Sequence, residues 1–270
     1  YQRFYLNMDR QAFDRWLVGM VPPGVECRFG CRLRTYAAES GGFRVEIAER
    51  GRRVVEKARI LVGADGAWSR VRWQLDGRPI ALAAYTAIQE YLEADGSQPY
   101  FSALFDPALT DYYCWTIPKN GCLVVGGAFR PKTAGQNFAR LKERLLCLGY
   151  RWGKTLRREA AFLQRPRNRR HLSAGQWGIA LLGEAGGWIS PSSAEGFSYA
   201  FRSALALAEA LHPGLDGFEW RYRRNLRPLV WNIFLKNLKA RAIFHPAIRN
   251  LALRCGWNST ELYDGRSKMP

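Results

Sequence analysis

The 270-residue chain has no Cys-x-x-Cys pair and three histidines. Its six cysteines fall at 27, 31, 114, 122, 147 and 255, and neither Cys27 nor Cys31 has a histidine close by. That pattern excludes a zinc site, and no metal is expected. A chain with 47% hydrophobic residues has enough material for a core without a disulfide framework. Free thiols in a reducing compartment are the expected state. No apolar run reaches the ~20 residues that span a bilayer, and no signal peptide is visible. There is no internal repeat and no low-complexity tract. The chain opens at Tyr1-Gln2-Arg3 without a methionine, as if cut from something longer.

Acidic residues are scarce. Asp and Glu number 23 against 41 Lys and Arg, a formal charge of +18. Such an excess draws anions at long range: nucleic acid, anionic lipid, or phosphorylated cofactors and substrates. No nucleic-acid motif accompanies it, so nucleic acid is not the expected partner. Aromatic residues are plentiful, with ten Trp, and point to broad apolar pockets or interfaces.

The spacing predicts a helix capped by Asp9, with Phe13, Trp16, Leu17 and Met20 on it, stopped at Pro22-Pro23-Gly24. Strands are expected at about 25–35, 42–49 and 53–62, with turns at Gly41-Gly42 and Gly51. Residues 80–130 read as β-rich, including Ala81-Leu82-Ala83-Ala84-Tyr85 and Cys122–Gly126. Residues 134–149 read as a helix with Phe138, Leu141, Leu145 and Leu148 on one face. Arg165–Arg170 reads as a solvated basic connector and Trp177–Gly183 as a short buried strand. A helix is expected over 193–211, then helices over 216–256 broken near Pro228 and Pro246.

Two strings carry chemistry. Val62-Gly63-Ala64-Asp65-Gly66-Ala67-Trp68-Ser69-Arg70-Val71-Arg72 joins a strand end to a tight turn, a serine cap and paired arginines. Glycine there lets backbone approach a ligand without a Cβ clash. Leu182-Gly183-Glu184-Ala185-Gly186-Gly187 ends a second strand and runs through Pro191 to Ser192-Ser193-Ala194-Glu195-Gly196-Phe197. Ser192 and Glu195 have capping-box spacing at a helix start. A helix N-terminus carries unpaired N–H groups and partial positive charge, which suits an anion.

Together these strings resemble the D-G motif and second FAD motif of the flavoprotein hydroxylase superfamily. The Ser-Pro-Ser-Ser-Ala-Glu-Gly-Phe form is similar to its geranylgeranyl-reductase-like branch. Asp9-Arg10-Gln11-Ala12-Phe13-Asp14-Arg15-Trp16-Leu17 resembles that branch's R-x-x-F-D-x-x-L helix. Tyr113-Cys114-Trp115-Thr116-Ile117-Pro118 resembles its Y-x-W-x-F-P motif, with Ile117 in place of Phe. The likeness covers essentially the whole chain in order.

The resemblance implies a mixed α/β, hydroxylase-like FAD/NAD(P)-binding fold. The remainder of a cofactor domain would be 1–75 and 171–215, a β-rich substrate domain 76–170, and a helical region 216–270. It implies FAD, with NAD(P)H as electron donor. Arg10 would lie near FAD, Asp65 and Gly66 beside it on the reductant's path, and Glu184 at the ribityl chain. Gly183 and Pro191 belong to the same motif. Gly196 and Phe197 would offer backbone N–H groups to the flavin's C2=O edge. Tyr113, Trp115 and Pro118 would wall the substrate cavity. No motif assigns a catalytic acid, base or nucleophile.

Two departures stand out. Glu184 replaces the usual Asp. No Gly-x-Gly-x-x-Gly occurs, although its glycines and helix end hold the FAD pyrophosphate in the family. The sequence starts after such a βαβ unit, which leaves a fragment, one part of a split gene with a separate FAD-binding segment, or a homologue that has lost FAD. The expected reaction is hydride transfer from reduced FAD to a C=C bond of a hydrophobic, prenyl- or lipid-like substrate. A monooxygenase, a halogenase and a cofactor-free binding protein are the alternatives. The basic, aromatic stretch 216–257 suggests docking on an anionic membrane, with a cytoplasmic location at the inner face.

Overall fold

The computed structural model describes residues 8–77, 84–94, 100–119 and 121–254. Expectations for Ala81–Ala83, Cys255 and the end of the 216–257 stretch lie outside them. Asp9 accepts hydrogen bonds from the N–H groups of Gln11 and Ala12 and starts α1 (Arg10–Gly19). None of α1's residues is buried.

An antiparallel meander follows: β1 (Cys31–Glu39), β2 (Gly42–Glu49) and β3 (Arg52–Ala58). Alternation along β2 turns Phe43 and Val45 inward beside Tyr36. The first strand begins six residues later than the expected 25, because Gly30 takes a left-handed turn (φ 72°). The single strand expected at 53–62 is two. β3 pairs with β2, whereas β4 (Leu61–Gly63) leaves that sheet and runs parallel to β10 (Ile179–Leu181). An apolar run does not reveal which sheet each half joins.

The third sheet has the order β6–β7–β8–β5–β9, all antiparallel. Its strands are Ser102–Leu104 (β6), Cys114–Lys119 (β7), Cys122–Phe129 (β8), Ala84–Glu93 (β5) and Thr155–Gln164 (β9). The sequence pattern predicts no strand at 155–164. Thr155–Gln164 carries Arg157, Arg158 and Glu159 and buries only its last two residues, so it shows little apolar alternation. Period-2 geometry gives this sheet two faces. Ile88, Leu92, Val125 and Phe129 pack on Phe138, Leu141 and Leu145 of α3 (Ala134–Cys147). Tyr85, Ala128 and Leu163 face the other way, onto Tyr112 and Ile189.

Three C-terminal helices, α4 (Phe197–Leu211), α5 (Phe218–Asn225) and α6 (Arg227–Phe244), share a core of Leu207, Phe218, Tyr222, Leu226, Leu229 and Ile233. The Tyr222 hydroxyl donates to the Leu181 carbonyl at 2.8 Å and ties them to β10. The breaks fall where the prolines predicted. Pro228 opens α6 and Pro246 opens α7 (Pro246–Arg254). Among the described residues no helix is long and apolar enough to cross a membrane.

Candidate functional site

The site forms where the parallel strands β4 and β10 end side by side, Leu181 in register with Gly63. Ligands of α/β sheets bind outside the carboxyl ends of such strands. A side chain at Gly63 would stand 2.8 Å from both Leu181 Cδ2 and Val71 Cβ, so only glycine fits. Beyond it, Asp65 Oδ2 accepts from Arg70 N–H at 2.7 Å and Val71 N–H at 3.4 Å. Ser69 accepts from Arg72 N–H at 2.9 Å. Together they cap α2 (Arg70–Asp76). Asp65 therefore holds a helix start, a role its place in the motif does not reveal. Gly66 turns the loop with φ 77°. Asp65→Ala is expected to destabilise the chain by about 1 kcal/mol, read as a lower urea midpoint. Asp65→Asn keeps an acceptor and is expected to cost less.

After β10, Gly183–Gly186 forms one 3-10 turn. Gly183 donates its N–H to Ser203 Oγ at 3.0 Å, and its carbonyl accepts from Trp188 N–H at 2.9 Å. A Cβ at Gly186 would run into the Trp188 indole. This turn carries Glu184 inward. Burial pushes its carboxyl up to about 7, opposed by a hydrogen bond from the backbone of Gln164. Oε2 is buried and has no hydrogen-bond partner among the described residues. Glu184 also stands beside Gly196, where a Cβ would meet its Oε1 at 3.6 Å.

Gly196 is the N-cap of α4 and offers no side chain to the helix end. The helix starts at Phe197, four residues later than expected, and the Ser192–Glu195 capping box does not form. Glu195 instead accepts from the N–H and hydroxyl of Ser198, at 2.7 and 2.6 Å. Ser192 turns to Ser190, and the Glu195 carbonyl accepts from Ser190 N–H at 3.0 Å. Residues 190–196 thereby fold into a tight loop in front of the helix rather than into its first turn. Arg10 lies over the Phe197 ring at 4.2 Å, and Phe13 meets the same ring edge-on.

The aromatic wall joins this loop directly. Tyr113 donates its hydroxyl to the Ser193 carbonyl at 2.6 Å, and its ring lies 5.7 Å from that of Trp115. Both pack with Tyr112, Ile189, Ala194 and Phe244. Pro118 is further along β7, next to Lys119, whose ammonium reaches the Met8 carbonyl ahead of α1 at 2.9 Å. The fold thus gathers Glu184, Gly196, Phe197 and Arg10 around one helix end, with Tyr113 and Trp115 joined to it through Ser193. Asp65 and Gly66 reach it through the Ala67 carbonyl, which accepts from the Gln164 side chain. Pro191 is held by Arg165, whose Nε donates to its carbonyl at 3.0 Å.

Three residues have positioning roles that the sequence does not show. Gln164 links the Asp65 turn to Glu184, but lies in the strand that was not predicted. The basic run Arg165–Arg170 predicts a solvated connector for Arg165. Arg165 is 8% exposed, sandwiched between Tyr112 (4.7 Å) and Phe244 (4.4 Å), and bonded to the carbonyls of Asp111 and Pro191. Charge runs are usually solvated faces, and nothing local marks the one member that turns inward. Arg72 was legible as one of the paired arginines, but its role was not. It is 2% exposed, with its fork on the carbonyls of Ala185 (3.2 Å) and His171 (3.0 Å) and its Nε on Asp76 (3.1 Å). It clamps the turn that carries Glu184.

No family model matches the chain. It is 36% identical over 258 residues to protein CbrA of Escherichia coli O6:H1, a match covering 95% of this chain and 70% of that protein. The chain belongs to the CbrA family. A geranylgeranyl bacteriochlorophyll reductase-like protein from Thermoplasma acidophilum superposes with a TM-score of 0.60 at 15% identity, over 83% of this chain and 69% of that one. A Klebsiella pneumoniae HpxO variant complexed with FAD gives 0.58 at 16%, over 92% of this chain and 66% of that one. At such identities the likeness carries the fold. This CbrA-family chain has the mixed α/β fold of FAD-dependent hydroxylases and reductases, as its motifs implied.

Proposed function

We propose that this chain is the substrate-handling part of an FAD-dependent oxidoreductase that reduces C=C bonds of a hydrophobic, prenyl- or lipid-like substrate. The carrying observation is Glu184 Oε2, a buried acceptor with no donor among the described residues, beside the start of α4, where the N-cap Gly196 supplies no side chain. A buried polar atom left unmatched is costly, and a ribityl hydroxyl is a donor of the right kind. Backbone N–H groups at a helix N-terminus suit the anionic edge of a reduced flavin.

When bound, FAD reduced by NAD(P)H supplies the hydride. The chain's own residues do the rest. Glu184 holds a hydroxyl, Gly196 and Phe197 offer N–H groups, and Arg10 adds positive charge at the same helix end. Tyr113 and Trp115 give an apolar wall that excludes water. The Tyr-x-Trp and Ser-Pro-Ser-Ser motifs favour reduction over oxygenation. On this reading 1–75 and 171–215 serve the cofactor, 76–170 the substrate, and 216–270 the helical outer face.

The pyrophosphate cradle is missing from these residues, so a Gly-rich βαβ unit, upstream or in a separate chain, completes the cofactor side. Two features support that. A parallel sheet is normally covered on both faces and has more than two strands, whereas β4 pairs only with β10 among the described residues and leaves Val62 39% exposed. Phe201 and Leu205 of α4 are also exposed.

The test joins the chain to such a unit and adds FAD. A flavin absorption band, bleached by NAD(P)H and restored anaerobically by a prenyl lipid, is the expected result. Stoichiometric O2 uptake with an oxygenated product would replace the reductase with a monooxygenase. A colourless protein that takes up no FAD would overturn the flavoenzyme reading altogether.

A further inference from the structure

Helices α5 and α6 carry two faces, each at helical spacing. The inner one, Tyr222, Leu226, Leu229 and Ile233, is filled by the core. The outer one is built as fully. Trp220 and Trp231 are each 62% exposed, and Phe234, Leu235 and Leu238 continue the stripe along α6. Trp231 and Phe234 stack at 5.3 Å. Between the two tryptophans lies a groove of ≈ 380 Å³ lined by Arg169, Arg223, Arg224 and Arg227.

The charge of this face is nearly all of one sign. Residues 218–244 hold seven Lys and Arg and one acid, Glu219. Glu219 is engaged by the Gly178 N–H at 2.6 Å and lies 3.9 Å from Arg223. Arg224 lies 4.8 Å over the Trp220 ring. Among the described residues no carboxylate pairs with Arg169, Arg224 or Arg227. The inner face already supplies the core, so the fold of the described residues does not require the outer aromatics.

We propose that this face docks the protein on an anionic bilayer. The arginines of the groove meet lipid phosphates, while Trp220, Trp231 and Phe234 enter the headgroup boundary. Interfacial helices combine these features: cations at the phosphate level and aromatic or aliphatic side chains below them. Two alternatives fit less well. A second copy packed through a two-fold axis would set arginine cluster against arginine cluster. A nucleic acid gives the unbroken stripe of Phe234, Leu235 and Leu238 no partner, since strand binding interleaves bases with basic groups.

Docking has a consequence for the site. The far end of α6 is Phe244, which packs on Tyr112 at 5.2 Å and belongs to the cluster that includes Tyr113 and Trp115. One helix therefore runs from the membrane face to the substrate wall. That a lipid substrate uses this route rests on the proposed oxidoreductase function. The docking itself does not, and its test needs no flavin.

The full chain is sedimented with phosphatidylcholine vesicles, with and without a third of phosphatidylglycerol. Binding is expected to the anionic vesicles alone and to weaken with salt. At about a fivefold loss for each arginine, Arg224→Gln with Arg227→Gln is expected to weaken binding by about 30-fold. Arg32→Gln with Arg34→Gln, which removes the same charge from exposed positions of β1, is expected to change it little. Trp220→Ala with Trp231→Ala weakens binding at unchanged charge. Equal effects of the two arginine pairs would reduce the face to net charge and overturn the proposal. So would equal binding to neutral vesicles, or DNA binding that the tryptophan variant leaves intact while vesicle binding fails.

Discussion

Arg72→Met is expected to cost about 3–5 kcal/mol of stability, because removing one partner from a buried charged network strands the others. Here the stranded groups are the carbonyls of Ala185 and His171 and the carboxylate of Asp76. Methionine restores the apolar stem and none of the donors. Arg72→Lys is expected to recover only part of the loss, since one ammonium cannot reproduce a planar fork on two carbonyls. Thermal unfolding is expected roughly 10 °C lower for the methionine variant. Because Arg72 grips Ala185, the turn bearing Glu184 loosens as well, and the Glu184 carboxyl should return toward its ordinary range. A methionine variant with unchanged melting would show that the clamp contributes nothing.

Glu184→Gln is expected to remove a pH dependence of stability worth about 3 kcal/mol. Burial raises the folded carboxyl to about 7 from an ordinary value of 4.5. Between these values the folded chain keeps a proton that the unfolded chain has released. The stability that goes with the protonated form is therefore full below pH 4.5 and is lost as pH rises through about 7. The glutamine variant lacks this loss, so it should match the parent near pH 4 and exceed it above pH 8. His171 titrates nearby in the opposite sense. Its pKa is lowered, first by burial, so its contribution to stability rises with pH. It is present in both proteins and cancels in the comparison. Urea midpoints measured from pH 4 to 9 decide the matter, and parallel profiles for the two proteins would sink it. On the proposed function, a hydroxyl donor on Oε2 favours the ionised carboxylate, so saturating FAD should flatten the parent's profile.

The parts of the fold written in local pattern were legible. Asp9 capping α1, the Phe138–Leu141–Leu145 face of α3 and the proline breaks around α6 follow from spacing and backbone chemistry within one or two turns. The ordered motifs around Asp65, Tyr113 and Glu184 were enough to point to the fold. β9 was not legible. Its pairing partner β5 is some seventy residues away in sequence, and its exposed charged positions hide the alternation that marks a half-buried strand. The start of α4 was misjudged because Ser192 and Glu195 have the right spacing for a box, while the competing Ser190 contacts depend on how the whole loop folds.

The sequence by itself determined the class of the protein: local periodicity, glycine punctuation and four motifs in order fix α/β architecture and a hydroxylase-like fold. Only the tertiary structure decided which charged groups turn inward. Arg165 looks in the sequence like any other charged residue, and the motifs mark Arg72 and Glu184 without showing that either turns inward. What separates them is desolvation and the few carbonyls, rings or unfilled positions that surround them. Those surroundings come from segments far apart along the chain, so no local pattern encodes them.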